Sequence, residues 1–437
     1  MAFKISSAGS EAATNEAGNK IVTVADKTHV TWQEVTEDGY FNRVRTLDTN
    51  SGEWSPTYDL GKAYDNHARA VITADSGGYL HLILSGHSTP CDYRRSVRSN
   101  DASEWTSPVE VASGTYPYLV CDSDDTLYLT MRDAVRWGGV DLYVKSAGRK
   151  WEASGKIIKR KEEYVGYAAF ASGMGFDRKG VLHLVNDFYE GYGIYENRGI
   201  HQAVAYMQSP DGGRTWRTMR GDPIETPARP HQMDVIAEST GLRHEPMPPP
   251  VMVAQGNIAV DSEGKPHVLY LYHLNEPGQL ILASPDEEGI WRQRPIDAVK
   301  EAFPNFRPSA CRGTFTIDRE GVFRALVTVA PLDNPDWSRV LPSRGRTAAL
   351  RNGIPVVWLV SEDGGESFRA EAAFDPGSDT TVQSPKIELP VGHGTPSPGA
   401  PGVLWFNNAA RELPRYKRDW EKNSCRQGLQ NDVYWQS

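Results

Sequence analysis

Residues 209–216 read SPDGGRTW, and residues 361–368 repeat the signature as SEDGGESF. The Asp-Gly-Gly core is typical of a tight turn, because glycine takes positive φ at no steric cost and an aspartate side chain bonds the amides that follow it. Each copy ends in a large aromatic residue. Degenerate copies end at Trp54, Trp105, Trp151 and Trp291. A signature that returns along the whole chain indicates a protein built of repeats.

A second signature precedes the first: an aspartate, five residues, and then a histidine or another large residue. It separates two short apolar runs, which is typical of two strands joined by a tight turn. A third strand then ends where the first signature begins. The hairpin copies run from Asp75 to His81, Asp122 to Tyr128, Asp177 to His183, Asp261 to His267 and Asp318 to Arg324, with a shorter one from Asp26 to His29, and third strands are predicted at residues 42–48, 93–99, 141–146, 201–209, 279–284 and 356–361.

The octapeptide resembles the Asp-box of the bacterial neuraminidase repeat, in which the aspartate caps the turn between the third and fourth strands of a propeller blade. Residues 431–437 have the pattern of a seventh third strand, and residues 3–7 supply its missing neighbour. We therefore predict a single all-β domain over residues 1–437, a seven-bladed β-propeller of four-stranded antiparallel blades. The N-terminal strand joins the C-terminal blade, which closes the ring and removes exposed edges. Residues 219–250 and 392–402 are predicted to be loop insertions.

Charge and composition narrow the range of partners. The chain has 47 Lys and Arg against 56 Asp and Glu, a net charge of -9, and no long basic run, so nucleic acid is not expected. No stretch approaches about 18 apolar residues, so no membrane span is expected. Residues 1–10 lack the apolar core of a signal peptide, which leaves a secreted or periplasmic protein whose leader is removed, or a cytoplasmic one. Isolated buried thiols are expected at Cys91, Cys121, Cys311 and Cys425.

The hairpins also predict a site. The first strand of each blade runs to the Asp turn and the second runs back, so the residues just outside both strands emerge on one face near the central axis. In the second blade these are His67, eight residues before Asp75, and His87, twelve after it. In the third blade they are Tyr116 and Arg132. Four ionisable or hydrogen-bonding side chains are thereby predicted to converge.

Further substrate contacts are predicted around these four residues. Tyr189 and His273 each follow a turn aspartate by twelve residues. Arg198 and His201 lie in the adjoining loop and complete the predicted substrate-binding set. Three histidines lie mid-strand in the repeat and are predicted to serve packing or hydrogen bonds between blades: His81, His183 and His267.

Residues 64–90 and 114–132 resemble the ulvan lyases and rhamnosyl-glucuronate lyases among the neuraminidase-repeat propellers. The resemblance lies in YDNH, ADSGGYLH and SGHSTP, followed by GTYP and LYLTMR. Those lyases place two histidines, a tyrosine and an arginine at the spacing found here, 20 residues from His67 to His87 and 16 from Tyr116 to Arg132. The resemblance implies a polysaccharide lyase with these four catalytic residues.

In that family the reaction is β-elimination of a uronic acid residue. A carboxylate next to C5 must be neutralised before its α-proton leaves, and Arg132 offers a planar, two-pronged partner for it. One group must remove the proton and another must protonate the departing C4 oxygen. The resemblance implies that His67, His87 and Tyr116 supply the base and the acid. It does not say which residue has which role.

Three alternatives stay open. A sialidase shares the Asp-boxes, but it needs three arginines around a carboxylate, and residues 20–61 contain no Arg-x-Pro. A related glycoside hydrolase that removes terminal rhamnose from glucuronate works from another pocket of the same fold. A non-catalytic carbohydrate-binding propeller is the third alternative, because a fold alone implies no activity.

The expected partner is an acidic polysaccharide or oligosaccharide, and we expect a monomer. The sequence contains no recognisable cluster of metal ligands equivalent to the structural zinc of some of these lyases, so no required cofactor is expected. A structural calcium ion in the central channel is compatible with the sequence.

Overall fold

The computed structural model describes residues 2–15, 18–134, 138–160, 168–191, 199–238, 252–273, 278–311, 313–332, 356–374, 382–394, 401–407, 409–413 and 428–437. In this part of the chain nearly all regular structure is β-strand, and the one α-helix, α1 (Ala298–Ala302), has five residues. No helix described there is long and apolar enough to cross a membrane.

The strands form successive antiparallel sheets whose members are mostly consecutive in the chain, which confirms the all-β prediction and gives the architecture of a β-propeller. In chain order they are β1 (Phe3–Gly9), β2 (Ile21–Val24), β3 (Lys27–Thr36), β4 (Gly39–Asp48), β5 (Tyr58–Ala63), β6 (Ala70–Ala74), β7 (Leu80–Leu84), β8 (Thr89–Arg95), β9 (Val109–Cys121), β10 (Leu127–Asp133), β11 (Gly139–Lys145), β12 (Glu152–Lys159), β13 (Ala168–Phe176), β14 (Leu182–Gly191), β15 (Gly199–Ser209), β16 (Trp216–Arg217), β17 (Pro223–Ile224), β18 (Asp234–Glu238), β19 (Met252–Val260), β20 (Pro266–His273), β21 (Gln279–Pro285), β22 (Trp291–Ile296), β23 (Phe306–Ala310), β24 (Phe315–Ile317), β25 (Phe323–Pro331), β26 (Val356–Ser361), β27 (Arg369–Ala372), β28 (Gln383–Lys386), β29 (Val403–Phe406), β30 (Arg411–Glu412) and β31 (Leu429–Gln436).

The aspartate of each hairpin turn caps the turn and also contacts the residue six positions on. Asp75 Oδ1 accepts a hydrogen bond from the Tyr79 amide at 2.8 Å, and Asp75 Oδ2 lies 3.1 Å from Nε2 of His81. This double contact explains the spacing of the signature. It gives the mid-strand histidines a structural partner within their own hairpin, whereas the prediction was packing or hydrogen bonds between blades. The equivalent pairs are Asp122 with Tyr128, Asp177 with His183, Asp261 with His267 and Asp318 with Arg324.

The complete octapeptide forms the turn between β15 and β16. Asp211 Oδ1 accepts a hydrogen bond from the Thr215 amide at 2.8 Å, and the Gly213 amide donates to Ser209 Oγ at 2.7 Å. Gly213 has a φ of 87°, a conformation that residues with a side chain rarely adopt. The copy at residues 361–368 makes the same two bonds between β26 and β27. The Asp-box turn implied by the resemblance is therefore present in both places.

β9 belongs to two successive four-stranded units. Its first part pairs with β8, where Thr89 is opposite Gly114, and its second part pairs with β10, where Asp133 is opposite Gly114 and Leu127 is opposite Cys121. Gly114 is thus paired on both sides. One strand is the outer strand of the second unit and the inner strand of the third, so the two units are joined at the position of the predicted site.

The insertion predicted over residues 219–250 is not a plain loop where the structure describes it. β17 and a 3-10 turn (Pro230–Gln232) lead into β18, which pairs with β15. β15 has eleven residues and β16 only two, so β18 satisfies backbone groups of β15 that β16 leaves uncovered. Residues 239–250, with the three prolines at 248–250, lie outside the described residues.

The inner strands of successive units contact one another in chain order, from β2 through β6, β9, β13 and β19 to β24. Residues 387–393, which follow β28, lie against three of these units. The Leu389 amide donates to Asn19 Oδ1 at 3.1 Å, and the Val391 carbonyl accepts from Thr73 Oγ1 at 2.7 Å and from the Cys121 amide at 2.8 Å. The insertion predicted over residues 392–402 therefore begins from a packed inner segment, and residues 395–400 lie outside the described residues.

The two ends of the chain meet. β1 pairs antiparallel with β31, with Phe3 opposite Trp435 and Gly9 opposite Asn431. β31 also pairs with β29, so the N-terminal strand extends a sheet formed by the C-terminal strands.

Replacing Trp216 by alanine is expected to lower the free energy of unfolding by about 3 to 5 kcal/mol, because the indole is 3% exposed and lies in the main core cluster. Chemical denaturation measures the change. Arg214→Ala is the matched control, since Arg214 lies in the same turn with its side chain exposed. An unchanged midpoint for Trp216→Ala would contradict the packing of the Asp-box aromatic.

Glu388 should make stability depend on pH. Burial raises the pKa of Glu388 to about 7 from 4.5, although the amide and the hydroxyl of Thr23 both donate to its carboxylate. Between those two pH values the folded protein keeps a proton that the unfolded chain has released, so the free energy of unfolding falls as pH rises, by roughly 3 kcal/mol in total. Glu388→Gln is expected to remove this contribution.

The measurement is the difference in unfolding free energy between wild type and Glu388→Gln, taken across the interval between the unfolded and folded pKa values, from 4.5 to about 7. Taking the difference cancels the titration of other groups. Glu37→Gln, at an exposed position, is the control variant. A difference for Glu388→Gln that does not change with pH would contradict the elevated pKa.

Candidate functional site

His67 and His87 lie at the open end of the β6–β7 hairpin. Ala70 is opposite Leu84, and each histidine lies three residues beyond this pair. The two imidazole rings stack, with centroids 4.1 Å apart and an interplanar angle of 24°. Their side chains are 25% and 21% exposed, so both can be reached from solvent. The structure thus brings the two predicted histidines into direct contact.

A carboxylate lies beneath the histidine pair. Asp65 Oδ2 is 2.6 Å from Nδ1 of His87, and Asp65 Oδ1 is 3.4 Å from Nδ1 of His67. The side chain of Asp65 is buried. Burial raises the pKa of Asp65, but the bonds to the two histidines outweigh burial and hold that pKa well below its ordinary value. Asp65 is therefore a fixed negative charge within the site.

Tyr116 lies where β9 passes from one sheet to the next. Tyr118 on β9 is opposite Thr130 on β10, and Thr115 is opposite Arg132. Between these two pairs β9 has one residue more than β10, which makes a β-bulge. Tyr116 has a φ of 59°, a left-handed conformation that is costly for a bulky residue, by about 1–3 kcal/mol. The bulge re-aims its side chain, as bulges beside active sites commonly do. Its ring lies 6.5 Å from that of His67.

Arg132 lies under the Tyr116 ring and is completely buried. Its guanidinium carbon is 4.7 Å from the ring centroid. Nη1 donates to the Ala168 carbonyl at 3.0 Å, and Nη2 donates to Thr115 Oγ1 at 3.1 Å. Both terminal nitrogens thus have protein acceptors. Each terminal nitrogen carries a second N–H group, and the predicted two-pronged grip on a substrate carboxylate stays a prediction.

The other predicted contacts lie partly at the same end of the sheets. Ala169 on β13 follows the residue whose carbonyl accepts from Arg132. Ala169 is opposite Tyr189 on β14, and Tyr189 is opposite His201 on β15. The rings of Tyr189 and His201 are 5.0 Å apart, and His201 Nδ1 is 2.7 Å from Asp187 Oδ1. His201 is buried, whereas Tyr189 is half-buried.

Two further predictions cannot be placed at the level of side chains. His273 ends β20 opposite Met252, and the structure describes only its backbone. Arg198 lies outside the described residues. Both stay predictions.

Sequence reasoning missed Asp65 and Asp187. Each aspartate contacts a predicted site histidine, and each is buried. The signal for Asp65 was present, since it stands two residues before His67 at the start of the same loop. Nothing in the chain spacing joins Asp187 to His201, because the contact crosses from one strand to its neighbour.

Sequence reasoning also recognised no group of metal ligands, yet two groups of such side chains lie close together among the described residues. Asp65, His67 and His87 offer atoms within 4.8 Å of one another, as do Cys121, Asp125 and His393. In the first group the carboxylate already accepts from His87. In the second group Asp125 accepts from the amide and hydroxyl of Ser76, and burial raises the pKa of the Cys121 thiol. The carboxylates Asp65 and Asp125 thus already accept hydrogen bonds within the protein.

The cysteines behave as the sequence predicts where they are described. Cys91, Cys121 and Cys311 are buried and free of disulfide bonds. Cys425 lies outside the described residues.

The site can therefore move protons at an exposed surface. Two imidazoles and a phenol meet there, a buried carboxylate lies behind one imidazole, and a buried guanidinium lies behind the phenol. This is the arrangement needed to pair a base with an acid on one bound molecule.

A family model described as BNR repeat-containing family member matches residues 17–299, more than half of the chain. The chain belongs to the BNR repeat-containing family. Two ulvan lyases are similar to this chain. The ulvan lyase of Alteromonas sp. (strain LOR) is 23% identical over 306 residues, which are 59% of this chain and 60% of that enzyme. The ulvan lyase of Pseudoalteromonas sp. (strain PLSV) is 21% identical over 383 residues, 78% of this chain and 71% of that enzyme.

Solved structures show the same fold for this BNR repeat-containing protein. A PL25 ulvan lyase bound to -[GlcA(1-4)Rha3S]- matches with a TM-score of 0.68 at 14% identity, covering 93% of both chains. A second polysaccharide lyase matches with a TM-score of 0.56 at 11% identity, covering 97% of this chain and 90% of the other.

Tyr116→Phe is expected to lower the rate of any reaction that this site catalyses at least about a hundredfold, because it removes the one hydroxyl group of the cluster that can donate a proton. The midpoint of thermal unfolding should not change, since the aromatic ring and the bulge remain. Tyr118→Phe is the matched control on the same strand: it removes a buried phenol that donates to Asn257 Oδ1 at 3.1 Å, so it should cost stability and leave turnover in place. Full activity of Tyr116→Phe would exclude the phenol from proton transfer.

Proposed function

We propose that this protein is a polysaccharide lyase that cleaves a uronic-acid-containing polysaccharide, of the ulvan or rhamnosyl-glucuronate type, by β-elimination. The observation that carries the proposal is the meeting of His67, His87 and Tyr116 at one exposed surface with the Arg132 cation directly beneath. Family membership and the similarity to ulvan lyases support the same class of reaction.

β-Elimination removes the C5 proton of a uronic acid and expels the oxygen at C4. The proton is acidic only if negative charge can develop on the adjacent carboxylate, so a nearby cation lowers the barrier. Arg132 supplies a buried positive charge, which is stronger than an exposed one because water does not screen it. The imidazoles and the phenol supply the base and the acid. A positioned acid or base contributes about 100- to 10,000-fold to the rate.

The proposal extends to the architecture and to the substrate contacts. We propose seven blades: with β9 counted twice, β6 to β12 give two four-stranded groups, and β19 to β22 give another. The pairing of β1 with β31 supports a ring closed between the chain ends. Within this ring Tyr189 and His201 lie at the same end of the sheets as Arg132, where a sugar next to the cleaved bond would bind. We expect a monomer and an acidic polysaccharide or oligosaccharide as partner.

The test is incubation of the protein with ulvan, glucuronan and rhamnose-capped arabinogalactan while ultraviolet absorbance follows the conjugated double bond of an unsaturated uronate. A rise is expected with at least one polymer containing uronic acid. Release of free rhamnose without such a rise would support a hydrolase instead. Binding without any product would support a carbohydrate-binding propeller.

His67→Ala and His87→Ala are each expected to lower the rate of elimination at least about a hundredfold, because each removes a group placed for proton transfer. His81→Ala is the matched control in the same hairpin. It breaks the contact with Asp75 at the opposite end of the strands, so it should cost stability and leave the rate per folded molecule unchanged. If both single variants at the open end remain fully active, the site lies elsewhere.

A further inference from the structure

The two histidines of the site share one carboxylate unequally. Asp65 Oδ2 faces Nδ1 of His87 at 2.6 Å, the length of a strong, charge-assisted hydrogen bond. Asp65 Oδ1 accepts from the backbone amide of His67 at 2.7 Å, and the ring nitrogen Nδ1 of His67 is 3.4 Å away. One oxygen thus serves the His87 ring, and the other mainly serves the backbone.

Asp65 is held in this position by its own loop. Its carbonyl accepts from Gln33 Nε2 at 2.9 Å and from the Ala68 amide at 3.2 Å. The residue is 1% exposed, so water does not compete for the carboxylate oxygens. The contact with His87 is therefore fixed from both sides, by the loop at residues 65–68 and by the end of the β6–β7 hairpin.

The contact decides which ring nitrogen of His87 carries the proton. Asp65 is ionised, so the hydrogen between the two groups belongs to Nδ1 of His87. In a neutral imidazole the other nitrogen then carries the lone pair. Nε2 of His87 is left as an acceptor, and the carboxylate fixes the orientation of the ring, as in other pairs of a carboxylate and a histidine.

We propose that Asp65 is a positioning residue that makes His87 the general base of the reaction, with Nε2 as the accepting atom. This inference rests on the proposed lyase function and divides the roles within its site. Nε2 of His87 takes the C5 proton of the uronic acid, the electrons of the C5–H bond form the C4–C5 double bond, and the C4–O bond breaks. Tyr116 donates its proton to the departing oxygen, and the proton on His87 returns to Tyr116 through solvent.

The stacking of the histidines supports this division. Two imidazolium rings with centroids 4.1 Å apart would repel each other, and Asp65 supplies one negative charge. Once Nε2 of His87 has taken the C5 proton, the positive charge on this ring is compensated by Asp65 at 2.6 Å. The His67 ring packs against the His87 ring. On the other side Arg132 stabilises the phenolate that Tyr116 becomes.

The first experiment compares Asp65→Asn with Asp75→Asn by steady-state kinetics on the polymer that the wild type cleaves. The Asp65→Asn side chain keeps the shape of the aspartate and loses its charge, so kcat should fall at least about a hundredfold with KM nearly unchanged. Asp75→Asn is the matched control, because Asp75 makes an equivalent contact to His81 at the other end of the same hairpin. Asp75→Asn should lower the midpoint of thermal unfolding and leave kcat unchanged.

The second experiment reads the tautomer directly from nitrogen NMR of protein labelled with ¹⁵N-histidine, and the His87 signals are identified by their loss in His87→Ala. The inference expects a protonated Nδ1 and an unprotonated Nε2 for His87 in the wild type. A protonated Nε2 in the neutral ring would overturn it. This measurement needs only the wild type and His87→Ala, so it stands even if Asp65→Asn does not fold.

The double variant Asp65→Asn/His87→Ala separates action through His87 from an independent effect. If Asp65 acts through His87, the double variant is no slower than His87→Ala alone. Full additivity of the two losses would contradict the inference, as would an unchanged kcat for Asp65→Asn. If the wild type eliminates none of the polymers, the proposed function fails instead, and the NMR result still decides the state of His87.

Discussion

The rest of the structure depends on the aspartate that closes each hairpin. Its side chain accepts from a turn amide and also contacts the residue six positions on, as Asp75 does with Tyr79 and His81. These two contacts fix the register of the first two strands of a unit. Since side chains alternate along a strand, a shift of one residue would turn the buried face outward. With the register fixed at one end, the residues at the other end are placed as well, and His67 and His87 meet there.

The second constraint is the continuity of β9. A strand that serves two neighbouring sheets must change direction, and the change is made by a bulge with Tyr116 in a left-handed conformation. The fold therefore holds strain at the position where the phenol is presented. Gly114, which pairs on both sides, lies two residues before it. The bulge that lets β9 join the two sheets therefore also presents Tyr116 at the site.

The electrostatics of the site come from groups below its surface. Three side chains reach solvent, and each is paired with a neighbour that fixes its environment: His87 with Asp65, His67 with the stacked His87 ring, and Tyr116 with Arg132. Burial keeps the charges of Asp65 and Arg132 unscreened and fixed in place. A site of this type can pass protons without rearranging its charged groups. The terminal nitrogens of Arg132 hold the guanidinium in place by donating to the Ala168 carbonyl and to Thr115 Oγ1.

Local chemistry determined much of this protein from sequence alone. The Asp turns, the Asp-boxes and the strands between them are short-range patterns, so their places, the all-β architecture and the convergence of His67, His87, Tyr116 and Arg132 could be predicted. Contacts between distant segments could not be predicted. The pairing of β18 with β15, the inner segment at residues 387–393 and the burial of Arg132 all depend on backbone and side-chain partners far away in the chain. The sequence supplied the histidines and the tyrosine of the site, whereas the tertiary structure decided their electrostatic environment, because burial and charge pairing exist only once separate strands are packed together.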